Sequence, residues 1–212
     1  MSSVAQPYPR VSEGDEVEDV KERLRVAIRD TRKLRSVRLR DAAARELAEV
    51  VLAIPAVADA RCASVYASRV TEPGTGPLLD ALRARGVRLL LPVLGTGLQR
   101  DWAEYIRADD LRERAPGRPP EPSGPPLGAA ALAEADVVIA PALAVDTSGA
   151  RLGQGGGWYD RALEHLRPGA PVIALVFPEE LYDADERPLP RESHDRLVDA
   201  VATPQGWHPI TV

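Results

Sequence analysis

The stretch DTSGARLGQGGGWYDRAL occupies positions 146–163 and contains five glycines, at positions 149, 153, 155, 156 and 157. It follows DVVIAPALAV (136–145), an apolar run rich in β-branched residues that predicts a buried strand. It leads into YDRALEHL (159–166), whose composition and apolar spacing predict a helix. A glycine loop between a strand and a helix presents free backbone N–H groups to a phosphate. This order therefore indicates an α/β protein with a phosphate site.

The glycine loop fits neither common nucleotide signature. A P-loop ends in Gly-Lys-Ser/Thr, whereas this loop ends in Gly157-Trp158-Tyr159, and Trp158 stands where the dinucleotide fingerprint needs its third glycine. A mobile loop or a tight turn would also use glycines. The neighbours favour a ligand site, because Arg151 has a fork suited to phosphate and Asp160 is a hard oxygen ligand suited to magnesium. Two aromatic residues also lie side by side here, in a chain with three Trp, five Tyr and one Phe.

The motif RLGQGGGWYDR (151–161) resembles the signature of the 5-formyltetrahydrofolate cyclo-ligase family, whose members are also called methenyltetrahydrofolate synthetases. The family pattern is an Asp, then Gly-x-Arg-Leu-Gly-x-Gly-x-Gly, two aromatics and Asp-Arg. The resemblance is continuous over 146–161 and extends over about residues 19–203, where its middle part is weakest. It implies a single three-layer α/β domain with a mostly parallel central sheet over residues 16–212. Residues 1–15 are polar, and we expect them to form a disordered tail.

Composition limits the class of protein. With 212 residues and 44% hydrophobic content, the chain can bury one core. Its net charge of −5 argues against a nucleic-acid partner. The single Cys62 forbids an internal disulfide, and we expect it to be a small buried hydrophobe. No apolar run approaches the ~20 residues that span a membrane, and no signal-peptide core opens the chain. The sequence thus predicts a soluble, cytoplasmic monomer.

The first predicted helix begins near Asp19. Three cations, Lys21, Arg25 and Arg32, fall within about 40° of one another on it and make a basic face, which in most proteins is merely solvated. The Lys-x-x-Leu-Arg pattern also resembles the family's N-terminus, and this resemblance implies that Lys21 and Arg25 reach ATP phosphates. Arg29 lies about 80° from Lys21, and we expect it to tolerate alanine. The apolar stripe that predicts this helix is Val20, Leu24, Ala27, Ile28, Thr31 and Leu34.

Strand and helix patterns alternate along the rest of the chain, which agrees with a three-layer α/β fold. A strand at 101–107 should expose Trp102 and Tyr105 on opposite faces, with packing the expected role of Trp102. The Pro/Gly-rich segment 109–131 predicts a long loop. Further helices are predicted at 39–54, where Leu39 should face inward, and at 77–85. Further strands are predicted at 62–67, 87–94 and 171–177, and a turn at 95–97 should end the second of them.

The family resemblance also implies a set of site residues. Glu72, in a Glu-x-x-Thr pattern with Thr75, would bind the folate, although a loop acid is by default solvent-facing. Asp160 and Asp195 would hold Mg²⁺; Asp160 could instead be a helix-start acid, and Asp195 stands in a Pro190-x-x-x-His194-Asp195 pattern. Glu121 is a weaker candidate in the proline-rich loop. The implied ATP site comprises Lys21, Arg25, Arg151, Leu152, Gly153, Gln154, Gly155, Gly156, Gly157, Trp158 and Tyr159, with Arg151 catalytic; the implied substrate site comprises Ala67, Glu72, Trp158 and Tyr159.

The reaction that this resemblance implies converts 5-formyltetrahydrofolate and ATP into 5,10-methenyltetrahydrofolate, ADP and phosphate, with ATP as cosubstrate and Mg²⁺ as cofactor. The γ-phosphoryl group would pass to the formyl oxygen, and N10 would then attack. Two alternatives remain open at this point. The chain could be a paralogue that acts on another small acid, or a nucleotide- or folate-binding protein without catalysis.

Overall fold

The computed structural model describes residues 6–8, 14–94, 100–192 and 195–210. The helices of the described ranges are α1 (Val17–Lys33), α2 (Val37–Leu52), α3 (Pro55–Ala58), α4 (Gly76–Ala84) and α5 (Trp158–Ala162), with 3-10 turns at Ala108–Asp110, Ala129–Glu134, Leu163–His165 and Pro178–Glu180. The strands are β1 (Cys62–Ser64), β2 (Arg88–Val93), β3 (Asp101–Glu104), β4 (Val137–Pro141), β5 (Ala144–Asp146), β6 (Arg151–Leu152), β7 (Val172–Leu175), β8 (Leu181–Tyr182), β9 (Ala200–Thr203) and β10 (Gly206–Pro209). None of these helices is both long and apolar enough to cross a membrane.

Seven strands form the central sheet, in the order β10-β9-β7-β4-β1-β2-β3. The five inner strands are parallel, and β3 and β10 run antiparallel to their neighbours at the two edges. The apolar runs that predict strands 62–67, 87–94 and 171–177 supply three of the inner strands, because a strand covered on both faces is apolar throughout. The predicted mostly parallel α/β sheet is therefore confirmed.

Apolar clusters cover both faces of this sheet and produce three layers. On one face α2, α3 and α4 pack with Leu47, Leu78 and Leu82, and on the other face Leu132 and Leu163 belong to the cluster around the second helical layer. Trp102 and Tyr105 do lie on opposite faces, but the prediction that they are exposed is wrong, because each is buried in one of these clusters. Cys62 is buried, as expected.

The predicted strand over 136–145 is divided between two sheets. Its first half is β4, which ends at Pro141, where the backbone has no N–H to donate to a ladder. Its second half is β5, which lies in a small sheet of order β6-β5-β8. The helix predicted over 159–166 is also shorter, since α5 ends at Ala162 and a 3-10 turn follows. The glycine loop therefore follows the small sheet rather than a strand of the central one.

The N-terminal segment touches this small sheet. Gln6 Nε2 donates to Leu181 O at 2.9 Å, and Tyr8 Oη donates to Pro188 O at 2.9 Å. Residues 6–8 of the expected tail thus contact the domain, whereas residues 1–5 and 9–13, like the 95–97 turn and His194, lie outside the described residues.

Helix α1 packs on the small sheet and is tied to it by a buried ion pair. Leu24 and Ile28 share a cluster with Leu143 and Leu152. Arg32 belongs to the same inner side rather than to an open basic face: its Nε and Nη2 donate to the two carboxylate oxygens of Glu180, each at 2.7 Å. Leu34 and Leu39, which the spacing predicts to face inward, are exposed because they lie around the turn between α1 and α2.

We expect Arg32→Met to lower the free energy of unfolding by about 3–5 kcal/mol, because it leaves the Glu180 charge buried and unpaired. Combining it with Glu180→Leu should restore most of that stability, since an apolar pair of similar size avoids the burial of charge. Urea unfolding of the three proteins measures this. Lys33→Met, which removes an exposed pair with Asp30, is the matched control and should change stability by less than about 1 kcal/mol. Equal losses in the single and double variants would contradict the account.

Candidate functional site

The glycine loop, residues 153–157, leaves β6 and lies against α1. Arg25 Nε donates to Gly153 O at 3.1 Å, which joins the helix to the loop. Gly155 has a φ of +98°, and a Cβ at that position would lie 3.4 Å from the Arg25 guanidinium carbon. Glycine is needed there because an L side chain rarely adopts this backbone conformation and because the guanidinium lies so close. Glycine at position 155 thus allows Arg25 of α1 to contact the loop backbone.

Gly149 has a different task from the glycines of the loop. It lies in the turn between β5 and β6, with a φ of +87°, and a Cβ there would be 2.8 Å from Val198 O. The buried carboxylate of Asp146 holds the same turn, accepting from Ala150 N at 3.1 Å, and it also accepts from Leu189 N at 2.9 Å. These two residues of the motif therefore attach the 189–198 segment to the hairpin.

Arg151 and Asp160 form an ion pair beside the loop. Arg151 Nη2 lies 2.7 Å from Asp160 Oδ1, and the Arg151 side chain is 4% exposed. Its Nη1 donates to Pro141 O at 3.4 Å, and its guanidinium carbon lies 5.9 Å from the centre of the Tyr159 ring. The Asp160 side chain is 25% exposed and so remains accessible to a ligand. Asp160 thus orients the predicted catalytic arginine and is more than a solvated helix-start acid.

Lys21 joins α1 to the segment that carries Asp195. Its Nζ donates to Asp195 Oδ2 at 2.6 Å and to Glu192 Oε2 at 3.2 Å. Burial disfavours the ammonium charge, but these hydrogen bonds outweigh burial and raise the pKa of Lys21 above its ordinary value. Asp195 Oδ2 also accepts from Glu192 N at 2.8 Å, which fixes the carboxylate.

These charges surround a cavity of about 190 Å³, which we call the polar cavity. It brings together the predicted phosphate-binding cations and both predicted metal ligands, although their positions in the sequence span most of the chain. Phosphates and a metal ion need both kinds of charge. Its lining cations are Lys21, Arg25, Arg151 and Arg161, its carboxylates are Glu18, Asp160, Glu164, Glu192 and Asp195, and Leu152, Gly153, Gly155 and Gly157 complete it.

A larger cavity of about 360 Å³, the aromatic cavity, is also lined by residues of the loop. It contains the whole predicted substrate set, and it shares Arg151, Gly153 and Asp160 with the polar cavity, so the two are adjacent. The proline-rich loop contributes part of its wall. Its lining includes Tyr66, Ala67, Arg69, Glu72, Arg118, Pro119, Pro120, Gln154, Gly156, Trp158 and Tyr159.

Glu72 is a buried carboxylate and not a solvent-facing loop acid, since its residue is 6% exposed. Its Oε2 accepts from Arg69 N at 2.8 Å and its Oε1 from Gln154 Nε2 at 3.1 Å. Thr75 has a supporting task, because its Oγ1 donates to Tyr66 O at 2.6 Å. Glu121 faces neither cavity, and its carboxylate instead accepts from Leu94 N at 2.9 Å and so holds the proline-rich loop on the end of β2.

Trp158 packs between two other aromatic rings. Its centroid lies 5.1 Å from that of Trp102 and 5.0 Å from that of Tyr159, both in edge arrangements. Within the described residues, Trp158 Nε1, Tyr159 Oη and Arg151 Nε are buried without a hydrogen-bond partner. Burial raises the pKa of Tyr159, so its hydroxyl stays protonated at neutral pH. These donors belong to residues that line the aromatic cavity, and they suit a ligand rich in oxygen acceptors.

Sequence reasoning missed several contributors, among them a contact of Arg29. The arginine lies off the Lys21 direction, yet its Nη2 donates to Gln154 O at 3.3 Å. The expectation that it tolerates alanine stays a prediction. Tyr66 and Arg161 also line the cavities; Tyr66 lies near the end of the strand predicted at 62–67, and the carboxyl end of a strand is where α/β sheets place ligands.

The carboxylates of Asp160 and Asp195 fit a magnesium ion only if a bound ligand supplies the rest of its coordination shell. Among the described residues, no three His, Cys, Asp or Glu side chains gather as a metal-binding group. Asp160 and Asp195 nevertheless line one cavity with the cations. Mg²⁺ in proteins often has one or two carboxylates and takes its other ligands from phosphates and water. The pair therefore suits a metal ion that arrives with a nucleotide.

A model described as the 5-formyltetrahydrofolate cyclo-ligase family matches residues 17–204. The chain belongs to this family. The 5-formyltetrahydrofolate cyclo-ligase of Mycolicibacterium smegmatis is 42% identical over 150 residues, which are 68% of this chain and 74% of that protein. The Escherichia coli protein of the same name is 30% identical over 158 residues, which are 73% of this chain and 84% of that one.

Solved structures agree with the cyclo-ligase family at the level of the fold. The 5,10-methenyltetrahydrofolate synthetase of Aquifex aeolicus superposes with a TM-score of 0.75 at 22% identity, covering 91% of this chain and 93% of that one. The synthetase of Mycoplasma pneumoniae gives a TM-score of 0.67 at 16% identity, with 87% and 98% coverage. The predicted family and fold are confirmed.

In this cyclo-ligase chain, we expect Gly155→Ala to destabilise the fold by about 1–3 kcal/mol, because the positive φ becomes strained and Arg25 must move. Gly156→Ala is the matched control: its φ is not in the left-handed region and a Cβ there meets nothing within 4 Å, so we expect a change within about 1 kcal/mol. Thermal and urea unfolding of both variants measure the difference. Equal stability would mean that the loop does not hold Gly155 in this conformation.

Proposed function

We propose that this chain closes 5-formyltetrahydrofolate to 5,10-methenyltetrahydrofolate, consuming ATP and releasing ADP and phosphate. The observation that carries the proposal is the contact of two unlike cavities across the glycine loop. One is lined by cations and carboxylates and suits a magnesium-bound triphosphate. The other is aromatic, contains a buried glutamate and suits a pterin. The reacting groups of the two substrates would meet where the cavities share Arg151.

In this proposal the triphosphate binds in the polar cavity. Lys21, Arg25 and Arg151 are buried cations that line it, and Gly153, Gly155 and Gly157 of the loop border it. Arg151 is the catalytic residue, because its position at the junction lets a bidentate guanidinium neutralise the phosphoryl group in transfer. Each of the three cations already has a carboxylate partner, so a bound phosphate would replace that carboxylate as the partner of the cation.

Asp160 and Asp195 would hold Mg²⁺ in the same cavity, and the ion would neutralise the phosphate charge that grows on the leaving group. Glu72 would accept hydrogen bonds from the pterin ring, with Ala67, Trp158 and Tyr159 beside it. The aromatic residues offer faces and edges to a flat heterocycle. This division assigns phosphate chemistry to α1 and the loop, and substrate recognition to the segment after β1.

The chemistry starts from a poor electrophile, because the N5 nitrogen of the formamide donates into its carbonyl. Transfer of the γ-phosphoryl group to the formyl oxygen breaks the bond to ADP and makes an imidate-like phosphate with an activated carbon. N10 then attacks that carbon and gives up its proton to the departing phosphate, which carries away the former formyl oxygen as the methenyl bridge closes. Positioning and charge neutralisation govern both steps, so no side-chain nucleophile is needed.

A family paralogue that acts on another small acid is the second candidate, and one observation favours it. Arg118, Pro119 and Pro120 form part of the wall of the aromatic cavity, and these residues do not resemble the usual family entry to that loop. A different wall could admit a different acid. A binder without catalysis is disfavoured, because binding alone would not require cations and two candidate metal ligands around one cavity.

The deciding experiment incubates purified protein with 5-formyltetrahydrofolate and MgATP and follows the absorbance of methenyltetrahydrofolate together with ADP release. We expect both products in equal amounts, with none when ATP is omitted. ADP without methenyl product would favour another acid as substrate. Binding of both ligands without either product would favour the non-catalytic protein.

We expect Asp160→Asn to stay folded but to melt at a somewhat lower temperature, because asparagine keeps an oxygen acceptor for Arg151 while the buried guanidinium loses its anionic partner. Its turnover should fall at least about tenfold, and the magnesium concentration for half-maximal rate should rise, because the variant lacks an anionic ligand. A magnesium titration of the rate measures both effects.

Asp41→Asn is the control for this titration, since Asp41 is exposed on α2 and borders neither cavity. Its turnover and magnesium dependence should match those of the parent protein. A normal magnesium dependence in Asp160→Asn would remove Asp160 from the metal site and leave it as the partner of Arg151.

A further inference from the structure

Gln154 lines the aromatic cavity and connects α1 to Glu72. Its Nε2 donates to Glu72 Oε1 at 3.1 Å. Its Oε1 accepts from Arg29 Nε at 3.4 Å, and its backbone carbonyl accepts from Arg29 Nη2 at 3.3 Å. The result is a continuous chain of hydrogen bonds, Arg29–Gln154–Glu72, from the helix that carries the predicted ATP ligands to the predicted folate ligand.

The chemistry of these three groups permits only one orientation of the Gln154 amide. A guanidinium has donors and no acceptor, and an ionised carboxylate has acceptors and no donor. The amide oxygen must therefore face Arg29 and the amide NH₂ must face Glu72. If the amide turned over, its oxygen would face a carboxylate and its NH₂ a guanidinium, and both hydrogen bonds would be lost.

Glu72 is held from two sides as a consequence. Arg69 N donates to Oε2 at 2.8 Å, Arg69 Nε lies 3.5 Å from Oε1, and Gln154 Nε2 donates to Oε1. The direction of the carboxylate thus depends on Arg69 and Gln154, which line the same cavity.

We propose that Gln154 is a positioning residue that sets the Glu72 carboxylate for the folate, and that Arg29 acts through Gln154 by fixing the amide orientation. This inference rests on the proposed function, since it takes Glu72 as the folate ligand. It gives the side chain of one residue of the glycine loop a task in substrate recognition. It also gives Arg29 a task that its helical angle does not suggest.

The test measures Michaelis constants for 5-formyltetrahydrofolate and ATP in Gln154→Leu, Gln154→Glu and Arg29→Ala. Loss of one hydrogen bond to a buried charge corresponds to about tenfold or more, so we expect the folate constant to rise about tenfold in Gln154→Leu. Gln154→Glu should raise it further, because two carboxylates then face each other. The ATP constant should change less than threefold in each variant.

Two further variants separate orientation of the amide from simple packing. Lysine also donates and does not accept, so Arg29→Lys should retain the amide orientation and most of the folate affinity. The double variant Arg29→Ala with Gln154→Leu should bind folate no worse than Gln154→Leu alone, because Arg29 acts only through the amide. Lys33→Ala, which removes an exposed cation from the same helix, is the charge control and should match the parent protein.

The outcomes are distinct. Additive effects in the double variant, or equal rises in the folate and ATP constants, would overturn the positioning role while the parent protein still cyclises its substrate. If the parent protein forms no methenyl product, the proposed function itself fails. A melting temperature close to that of the parent is expected for each variant, and a large drop shared by Arg29→Lys would show that the chain of hydrogen bonds serves only the fold.

Discussion

The buried ion pair between Arg32 and Glu180 determines how the other cations of α1 are presented. Charges this deeply buried must be paired, and the bidentate contact leaves the end of the helix little freedom to rotate. Arg32 Nη2 also donates to Ala142 O at 2.7 Å, next to Pro141, whose carbonyl accepts from Arg151. With this end of α1 fixed, Lys21, Arg25 and Arg29 point one turn apart towards the loops of the site.

The site is balanced in charge, which bears on how it would receive a nucleotide. Each predicted phosphate cation has a carboxylate partner: Lys21 with Asp195, Arg25 with Glu18, and Arg151 with Asp160. In the proposed reaction, a magnesium-bound triphosphate brings both kinds of charge, so phosphates take the cations and the metal takes the carboxylates. Such an exchange keeps every buried charge paired, which avoids the several kcal/mol that an unpaired buried ion costs.

Residue patterns predicted five of the seven strands of the central sheet but missed β9 and β10, and they did not separate the small sheet from the central one. Long apolar runs such as 171–177 identify strands because both faces are covered, whereas β6 and β8 have two residues each and no periodicity to read. The division of 136–145 into β4 and β5 depends on which neighbours each half pairs with. The same limit applies to the contact of Arg29 with Gln154. Helical spacing gives the angle of Arg29 on α1, but it does not give the course of the loop that Arg29 contacts.

By itself, the sequence determined the family, the α/β class and the residue types of the site, because the glycine-rich motif combines backbone freedom, a fork-shaped cation and a hard acid within a few positions. The tertiary structure decided which of these residues meet. It assigned Gly149 to a turn, Arg32 to the interior and Gln154 to the contact between Arg29 and Glu72. The physical reason is that pairing of buried charges and close approach of backbone are long-range constraints, which residues distant in sequence satisfy only once the chain has folded.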